Sequence, residues 1–347
     1  MNEPRPKHIL VARTDKIGDL LLSLPTFQVL KENFPDAKVT ALVSGYAKEI
    51  VQGHPAVDSV EIYDPKEGFG RTVQRFKALT PDVFLALYPR AQQVLAAWFA
   101  GIPVRVGTGY RWYSPFLNKK VMVHRSLCEK HEVEYNLDLL GPMGVASKPP
   151  KIHFSLTDPD RAFVSDLLKE KGIAPKARFL VVHPGHKGSA QNWKPERYGQ
   201  VISQMAYRGR KVVVTGGPDE TALIAQVMTH VRGVGPDQKP VLLIGECTLR
   251  QVAAVYERAD CFLSGSTGTL HLAAAVGTPT VALFGTIPQT TPVRWGPWGN
   301  ESTVIMPRNL PCPDCQAGTC RLHDVMDAIK VEEVLEAMEK YIAQAKK

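Results

Sequence analysis

The sequence is poor in cysteine and has no long apolar run. Six cysteines among 347 residues are too few for a disulfide scaffold of this length, so we expect thiols or metal ligands in a reducing compartment. No segment approaches the apolar length that is needed to span a bilayer. Residues 1–6 lack the apolar core of a secretory signal, and a cytoplasmic protein is therefore expected.

Two fingerprints of other functional classes are also missing. There is no arginine-rich run and no basic ribbon interleaved with aromatic residues, which argues against nucleic acid as a partner. No G-x-G-x-x-G follows a predicted strand, which argues against a nicotinamide oxidoreductase. The formal charge of +8 still favours an anionic partner, either a phosphate-rich substrate or an acidic membrane face. A solvated basic surface is the alternative interpretation.

Short apolar runs alternate with longer amphipathic stretches along the chain, in two series. The predicted strands are 8–12, 38–43, 60–63 and 82–87 in the first series, and 178–183, 211–215, 241–244, 260–264 and 280–284 in the second. Helical spacing is clearest at 20–33, 195–207 and 331–345. Strands separated by helices imply parallel pairing with right-handed crossovers.

This pattern predicts an α/β protein with two doubly wound, Rossmann-like domains that face a cleft. We expect an N-terminal domain over 1–150, a C-terminal domain over 160–330, and an amphipathic helix over 331–347. Residues 141–159 hold four prolines with little periodicity, which indicates a linker. Ligands of such sheets bind beyond the carboxyl ends of the strands, so the residues that follow each strand carry the functional prediction.

The segment after the first strand reads Arg13-Thr-Asp-Lys-Ile-Gly-Asp19, followed by an apolar helix. Gly18 allows a tight turn from strand to helix, and Asp19 falls near the start of the helix. A carboxylate held there, facing a cleft, can take a proton from a hydroxyl nucleophile. The alternative is that Asp19 only caps the helix.

Glycines and hydroxyl residues follow a later strand, in the run from Ser264 to Gly277. The backbone N–H groups at the start of the next helix suit a diphosphate. The alternative is a capped helix without a ligand. Two further segments leave strands: residues 183–195, whose glycines, Lys187 and Ser189 suit phosphate, and residues 216–220, whose carboxylates can hold ribose hydroxyls.

Together, the segments 13–25, 183–195 and 265–285 resemble glycosyltransferase family 9, the family of ADP-heptose:lipopolysaccharide heptosyltransferases. The similarity covers nearly the whole chain, with the three motifs in the same order. The resemblance implies a GT-B fold and an inverting transfer that needs no metal and no cofactor beyond the nucleotide sugar, for which ADP-heptose is expected. It also implies that the acceptor binds the N-terminal half and the donor binds the C-terminal half.

The resemblance implies roles for individual residues. Asp19 corresponds to the base that deprotonates the acceptor hydroxyl. The candidate donor-binding residues are His186, Lys187, Gly188, Ser189, Gln191, Glu220, Ser266, Thr267, Gly268, Thr269 and His271. The candidate acceptor-binding residues are Arg13, Lys16, Gly18 and Arg111.

Two positions depart from the family pattern. Ser266 stands where an aspartate usually precedes the phosphate loop, and Gln191-Asn192 stand where a lysine usually precedes Trp193. Lys187 or Lys194 is the candidate source of the missing positive charge. The alternatives to an ADP-heptose donor are therefore another nucleotide-linked sugar, or a non-catalytic protein that binds sugar nucleotides.

The remaining predictions concern the cysteines and the partners. Cys312, Cys315, Cys320 and His323 have a spacing compatible with structural zinc, and packed thiols are the alternative. The expected acceptor is a lipid-linked saccharide at the cytoplasmic face of the inner membrane, with which the protein would associate peripherally. The basic residues expected to face it are Arg71, Arg75, Lys77, Arg90, Arg105, Arg111, Lys119 and Lys120.

Overall fold

The chain divides into two units, Met1–His153 and Phe154–Lys347. The computed structural model describes residues 5–146, 148–188, 190–320 and 324–344. Each unit contains one six-stranded sheet in which every neighbouring pair of strands is parallel. Among the described residues, no helix combines the length and the apolar character that crossing a membrane requires.

The first unit has strand order β3-β2-β1-β4-β5-β6. Its strands are β1 (His8–Arg13), β2 (Lys38–Ser44), β3 (Ser59–Tyr63), β4 (Val83–Ala86), β5 (Val104–Thr108) and β6 (Lys119–Val121). Its helices are α1 (Ile17–Leu21), α2 (Leu24–Asn33), α3 (Phe69–Leu79), α4 (Ala91–Phe99) and α5 (Glu132–Asp138). All six residues of β1 are buried, as expected for a central strand of a parallel sheet that is covered on both faces.

The helix that follows β1 is broken, whereas the sequence pattern predicts one helix over 20–33. α1 ends at Leu21 and α2 begins at Leu24. Pro25 lies in the first turn of α2, where its missing N–H is tolerated, but in a continuous helix its ring would clash with the carbonyl of Leu21. The hydroxyl of Ser23 donates to the carbonyl oxygen of Asp19 at 2.8 Å, which holds the break beside the candidate base.

The second unit has strand order β12-β11-β10-β7-β8-β9. Its strands are β7 (Phe179–His183), β8 (Lys211–Gly216), β9 (Val241–Ile244), β10 (Cys261–Gly265), β11 (Thr280–Leu283) and β12 (Ser302–Ile305). Its helices are α6 (Asp158–Glu170), α7 (Pro195–Tyr207), α8 (Thr221–Thr229), α9 (Leu249–Glu257), α10 (Gly268–Ala275), α11 (Pro292–Trp295), α12 (Pro313–Ala317) and α13 (Val331–Gln344).

The C-terminal helix α13 packs into the core of the second unit. Val334, Met338 and Ile342 are 0–2% exposed and belong to one cluster with Val201 and Ile202 of α7. The apolar stripe that is visible in the sequence therefore covers the sheet of this unit.

Both sheets reverse their strand order once, at β1/β4 and at β7/β10. In an open parallel sheet, ligands bind beyond the carboxyl ends of the strands at this reversal. A ligand-binding site is therefore expected in the segments that follow β1, β4, β7 and β10. Three of the four motifs recognised in the sequence begin in these segments, and the fourth follows β8.

Candidate active site

In the first unit, Arg13 is the centre of a buried cluster of charged side chains. Arg13 is 2% exposed, and its Nη2 atom donates to Oδ1 of Asp19 at 2.5 Å. Its Nε atom donates to Asp15 at 2.8 Å and its Nη1 atom donates to Glu132 at 3.0 Å. Nη1 also reaches Oδ1 of Asn136 at 3.1 Å. The guanidinium thus donates these hydrogen bonds to side chains of its own unit.

Asp19 does not cap its helix. Lys16 is the N-cap residue of α1 and no side chain accepts a capping hydrogen bond there. Asp19 is the third residue of the helix, and its side chain is 17% exposed. The interpretation of Asp19 as a helix cap is therefore wrong, because its carboxylate is bound by Arg13 and remains partly open to solvent.

Arg13 faces three carboxylates in this cluster, and a second guanidinium, that of Arg125, lies 3.6 Å from Oε1 of Glu132. Asp15, Asp19 and Glu132 have side chains that are 12%, 17% and 0% exposed. Burial raises the pKa of Asp15 to about 7, with a further contribution from Asp19 and against the opposing effect of Arg13. The Asp15 carboxyl therefore holds a proton for part of the time at neutral pH, which limits the negative charge that is buried beside Asp19.

The loop that carries Asp15 is fixed from two other elements. The Thr14 hydroxyl accepts from Nε of Arg90 at 3.1 Å and from Nε2 of Gln93 at 2.9 Å, and both donors follow β4. The Tyr46 hydroxyl donates to the carbonyl oxygen of Asp15 at 2.5 Å. The segments after β1 and β4, on the two sides of the strand-order reversal, are therefore joined directly.

The predicted acceptor-binding residues differ in accessibility. Lys16 and Arg111 are exposed, whereas Arg13 and Gly18 are buried. Trp112, next to Arg111, is 73% exposed. Of the predicted basic surface, Arg71, Lys77, Arg111 and Lys120 are exposed, while Arg75, Arg90, Arg105 and Lys119 are partly buried.

In the second unit, Glu220 lies against the backbone of the segment after β7. Its Oε2 atom accepts from the N–H of Gly217 at 2.8 Å and lies 3.7 Å from Nε2 of His183. A Cβ at Gly185 would come within 2.1 Å of the Glu220 carboxylate. Burial lowers the pKa of the His183 imidazole, while Glu220 opposes this shift. His183 is therefore expected to be neutral at pH 7, with Nδ1 bonded to the Thr215 hydroxyl at 3.0 Å.

The predicted phosphate-binding residues of the same segment lie on its exposed turn. Lys187 has a positive φ of 44°, and its ammonium lies 3.2 Å from the Asp219 carboxylate, with both side chains more than half exposed. Nδ1 of His186 accepts from the N–H of Gly188 at 3.1 Å. Ser189 lies outside the described residues. Lys194, the other candidate cation, is paired with Asp327.

Gln191, one of the two departures from the family pattern, joins the segments that follow β7 and β11. Its Oε1 atom accepts from the N–H of Thr286 at 2.9 Å, and a Cβ at Gly285 would lie 2.0 Å from that oxygen. Asn192 lies against the end of β10, where its Oδ1 atom would be 2.7 Å from a Cβ at Gly265. The two amides thus lie beside the ends of three strands.

The segment after β10 leads into the first turn of α10, and polar groups lie at the start of this helix. Thr267 is the N-cap residue, with extended backbone and no side-chain cap hydrogen bond. The hydroxyl oxygen of Thr269 is buried without a hydrogen-bond partner among the described residues. Thr267, Gly268 and Thr269 are half-buried, whereas Ser266 and His271 are 8% and 3% exposed. The first N–H groups of any helix lack intrahelical partners, so this turn can bind an anion.

The cysteines of residues 312–320 lie together, and we call this stretch the cysteine segment. Cys315 is buried, Cys312 and Cys320 are half-buried, and their Sγ atoms lie within 4.8 Å of one another. Burial, reinforced by hydrogen bonds to the two neighbouring thiols, raises the pKa of Cys315 to about 12. His323, the fourth predicted ligand, lies outside the described residues.

Sequence reasoning missed Glu132 and Asn136. Both side chains are completely buried. Glu132 belongs to the charged run Glu129–Glu134, which is typical of a solvated surface, and Asn136 follows that run. They lie 119 and 123 positions from Arg13, so no local spacing reveals the contact.

A family model and a similar known protein both identify one family. The model described as glycosyltransferase family 9 (heptosyltransferase) matches residues 74–326. A putative glycosyltransferase of Haemophilus influenzae is 32% identical over 302 residues, which is 83% of this chain and 85% of that protein. Lipopolysaccharide heptosyltransferase 3 of Escherichia coli is 25% identical over 94% of this chain and 96% of its own length.

A solved structure shows the same fold. ADP-heptose lipopolysaccharide heptosyltransferase II of Escherichia coli superposes with a TM-score of 0.80, at 19% identity, over 98% of this chain and 100% of that one.

Proposed function

The chain belongs to glycosyltransferase family 9 and has the GT-B fold, and from this we propose that it transfers a heptose from ADP-heptose to a lipopolysaccharide core saccharide. In this proposal the first unit binds the acceptor and the second unit binds the donor. The transfer is a single displacement, which inverts the anomeric centre. The named relatives support this choice of donor and acceptor class, since they are heptosyltransferases of lipopolysaccharide.

The chemical step needs a base for the acceptor hydroxyl, and Asp19 is our candidate. As the hydroxyl oxygen forms its bond to the anomeric carbon, its proton passes to the Asp19 carboxylate. The bond from the anomeric carbon to the phosphate oxygen breaks, and its electron pair leaves with the nucleoside diphosphate. Because Arg13 is buried and bonded to Asp19, we assign Arg13 to the positioning of the base and not to contact with an acceptor.

The leaving diphosphate gains negative charge, and the second unit offers groups that stabilise it. The first turn of α10 presents backbone N–H groups and the hydroxyl of Thr267, and such preorganised donors lower the barrier. The Thr269 hydroxyl belongs to the same turn and is buried. Lys187 adds a positive charge from an exposed turn, where it is paired with the exposed carboxylate of Asp219, and His186 and Gly188 belong to the same turn. Glu220 is our candidate for contact with the ribose hydroxyls.

The departures at positions 191 and 266 support a second candidate within the same reaction class. Gln191 is engaged with Thr286, and Ser266 is neutral and 8% exposed, so neither side chain brings charge to the donor. A donor that carries a different sugar on a nucleoside diphosphate is compatible with these groups. The alternative of a non-catalytic binding protein is disfavoured by the carboxylate of Asp19, which is held in place and accessible.

The exposed basic residues of the first unit support peripheral association with an anionic membrane face. Arg71, Lys77, Arg111 and Lys120 are exposed, and a Lys or Arg that lies near an anionic bilayer adds about 1 kcal/mol of attraction. We expect cosedimentation with anionic vesicles that is lost at high salt. Equal binding to neutral vesicles would contradict this assignment.

The single observation that carries the proposal is the Arg13–Asp19 pair at the carboxyl end of β1. The test is calorimetric titration of the purified protein with ADP-heptose and with UDP-, GDP- and dTDP-sugars. We expect selective binding of ADP-heptose. Selective binding of another nucleotide sugar would replace the donor and keep the mechanism, and absence of binding to every nucleotide sugar would contradict the proposal.

A further inference from the structure

The three thiols of the cysteine segment converge on one point. Sγ of Cys312 lies 3.3 Å from Sγ of Cys315 and 3.9 Å from Sγ of Cys320. None of the six cysteines forms a disulfide, which would require sulfur atoms about 2.05 Å apart. Cys315 is buried and the other two cysteines are half-buried. The cluster therefore faces the protein interior on one side and solvent on the other.

We propose that Cys312, Cys315 and Cys320 bind one transition-metal cation of the zinc class as thiolates. Zinc–sulfur bonds of about 2.3 Å in tetrahedral geometry place neighbouring sulfur atoms about 3.8 Å apart. The Sγ–Sγ separations of 3.3 Å and 3.9 Å in this chain lie on either side of that value. Three soft sulfur donors select zinc or iron and not magnesium or calcium, which prefer oxygen. The fourth position of the tetrahedron is left for solvent or another side chain.

The local backbone brings the third cysteine back to the first two. Cys312 is the N-cap residue of α12, and Cys315 lies in its single turn. The carbonyl oxygen of Asp314 then accepts from the N–H groups of Thr319 and Cys320 at 2.9 and 3.1 Å. This reversal requires Gly318, whose φ is 71°. The segment with C-x2-C-x4-C spacing thus folds into a compact turn that brings its three sulfur atoms together.

The cysteine segment packs directly on the loop after β11. A Cβ at Gly318 would lie 2.6 Å from the carbonyl oxygen of Thr286 and 2.7 Å from Cα of Ile287. Thr286 is also the residue whose N–H donates to Gln191. A cation that stiffens the segment therefore supports the strand ends that Gln191 joins. Its role is structural, and no step of the transfer passes through it.

Binding exchanges protons for the cation. Each thiol that becomes a thiolate releases its proton to solvent, and no electron is transferred. The cation binds only the folded arrangement strongly, so its binding free energy adds to folding stability.

The test is metal analysis of the full chain, purified without chelator, by inductively coupled plasma mass spectrometry. We expect about one zinc or iron per chain, falling at least tenfold in Cys315→Ser. Cys247→Ser, which changes a cysteine outside the cluster, is the matched control and is expected to keep the metal. An iron-loaded protein is distinguished from a zinc-loaded one by its visible absorption.

A second measurement avoids dependence on a variant that fails to fold. Cobalt(II) is titrated into the metal-stripped wild-type chain, and we expect thiolate-to-cobalt charge-transfer absorption that saturates at one equivalent and a rise in melting temperature. Absence of that absorption, or metal content that is unchanged in Cys315→Ser, would overturn the proposal. A disulfide between Cys312 and Cys315 in protein purified under air-free conditions would overturn it as well.

Discussion

Nη2 of Arg13 lies 2.5 Å from Oδ1 of Asp19, on a guanidinium that is 2% exposed and that also binds Asp15 and Glu132. A buried cation of this kind fixes the direction of each carboxylate that it contacts, because moving one of them leaves charge without a partner. The orientation of the candidate base is therefore determined by Arg13, whose side chain is buried.

Glu132→Gln should lower kcat without a matching change in KM for the donor. The substitution keeps the shape of a completely buried side chain but removes one of the charges that hold Arg13. A misplaced catalytic group costs up to about 100-fold in rate, and we expect a loss of about 10- to 100-fold. Steady-state kinetics measure it.

Glu129→Gln is the matched control for Glu132→Gln, since Glu129 is exposed in the same charged run. Its kinetic constants should equal those of the wild type. A Glu132→Gln enzyme with wild-type kcat would remove Glu132 from the positioning of the base.

Asp15→Asn should change how stability depends on pH. The folded pKa of Asp15 is about 7, above its ordinary value of 3.8. Between these values the folded chain holds a proton that the unfolded chain has released, so the free energy of unfolding falls as pH rises, by up to about 1.4 kcal/mol per pH unit. Asparagine cannot titrate, and the variant should lose this slope.

Melting temperatures from pH 4 to pH 8 test the Asp15 prediction. The difference between the wild type and Asp15→Asn isolates the contribution of Asp15 from those of other groups. Asp36→Asn, at an exposed position, should run parallel to the wild type. Parallel curves for Asp15→Asn would show that this carboxyl does not titrate near neutrality.

Gly185→Ala should destabilise the second unit and weaken nucleotide binding. The new Cβ would lie 2.1 Å from the Glu220 carboxylate, so Glu220 must move. Overpacking of this kind costs about 1–3 kcal/mol. Denaturant unfolding measures stability and calorimetry measures the Kd for ADP. Gly70→Ala, where a Cβ meets no atom within 4 Å, is the control, and unchanged binding in Gly185→Ala would separate Glu220 from the donor.

Gln191→Ala should raise the Kd for the donor severalfold and lower the melting temperature. The side-chain oxygen is the acceptor for the N–H of Thr286, and its loss leaves that donor unsatisfied at a cost of about 1–3 kcal/mol. Gln204→Ala, at an exposed position on α7, is the control. If Gln191→Ala binds the donor as the wild type does, the bridge between the strand ends is not needed for binding.

Much of the fold could be predicted because short apolar runs and helical periodicity mark many of its strands and helices. Central strands such as β1 and β7 are short apolar runs, and α7 is bounded as its periodicity predicts. The strands β5, β6 and β12 were missed, since their sequences, Val-Arg-Val-Gly-Thr, Lys-Lys-Val and Ser-Thr-Val-Ile, carry little apolar signal. The break between α1 and α2 depends on Pro25, whose position in a first turn became clear only in three dimensions.

The candidate site was predictable only where residues follow a strand end. Asp19 and the turn at Thr267–Thr269 lie in such positions. Glu132 was not predictable, because its burial depends on a distant partner, Arg13. Gln191 was noticed only as a departure from the family pattern, and its hydrogen bond to Thr286 shows what the amide does in this chain.

The central claim is that Asp19 is the base of a glycosyl transfer. The most direct measurement compares wild type with Asp19→Asn in acceptor-dependent release of ADP from ADP-heptose, alongside calorimetric binding of the same donor. We predict that Asp19→Asn binds the donor with unchanged Kd and releases ADP at least about 1,000-fold more slowly. Release at the wild-type rate by Asp19→Asn would contradict the account.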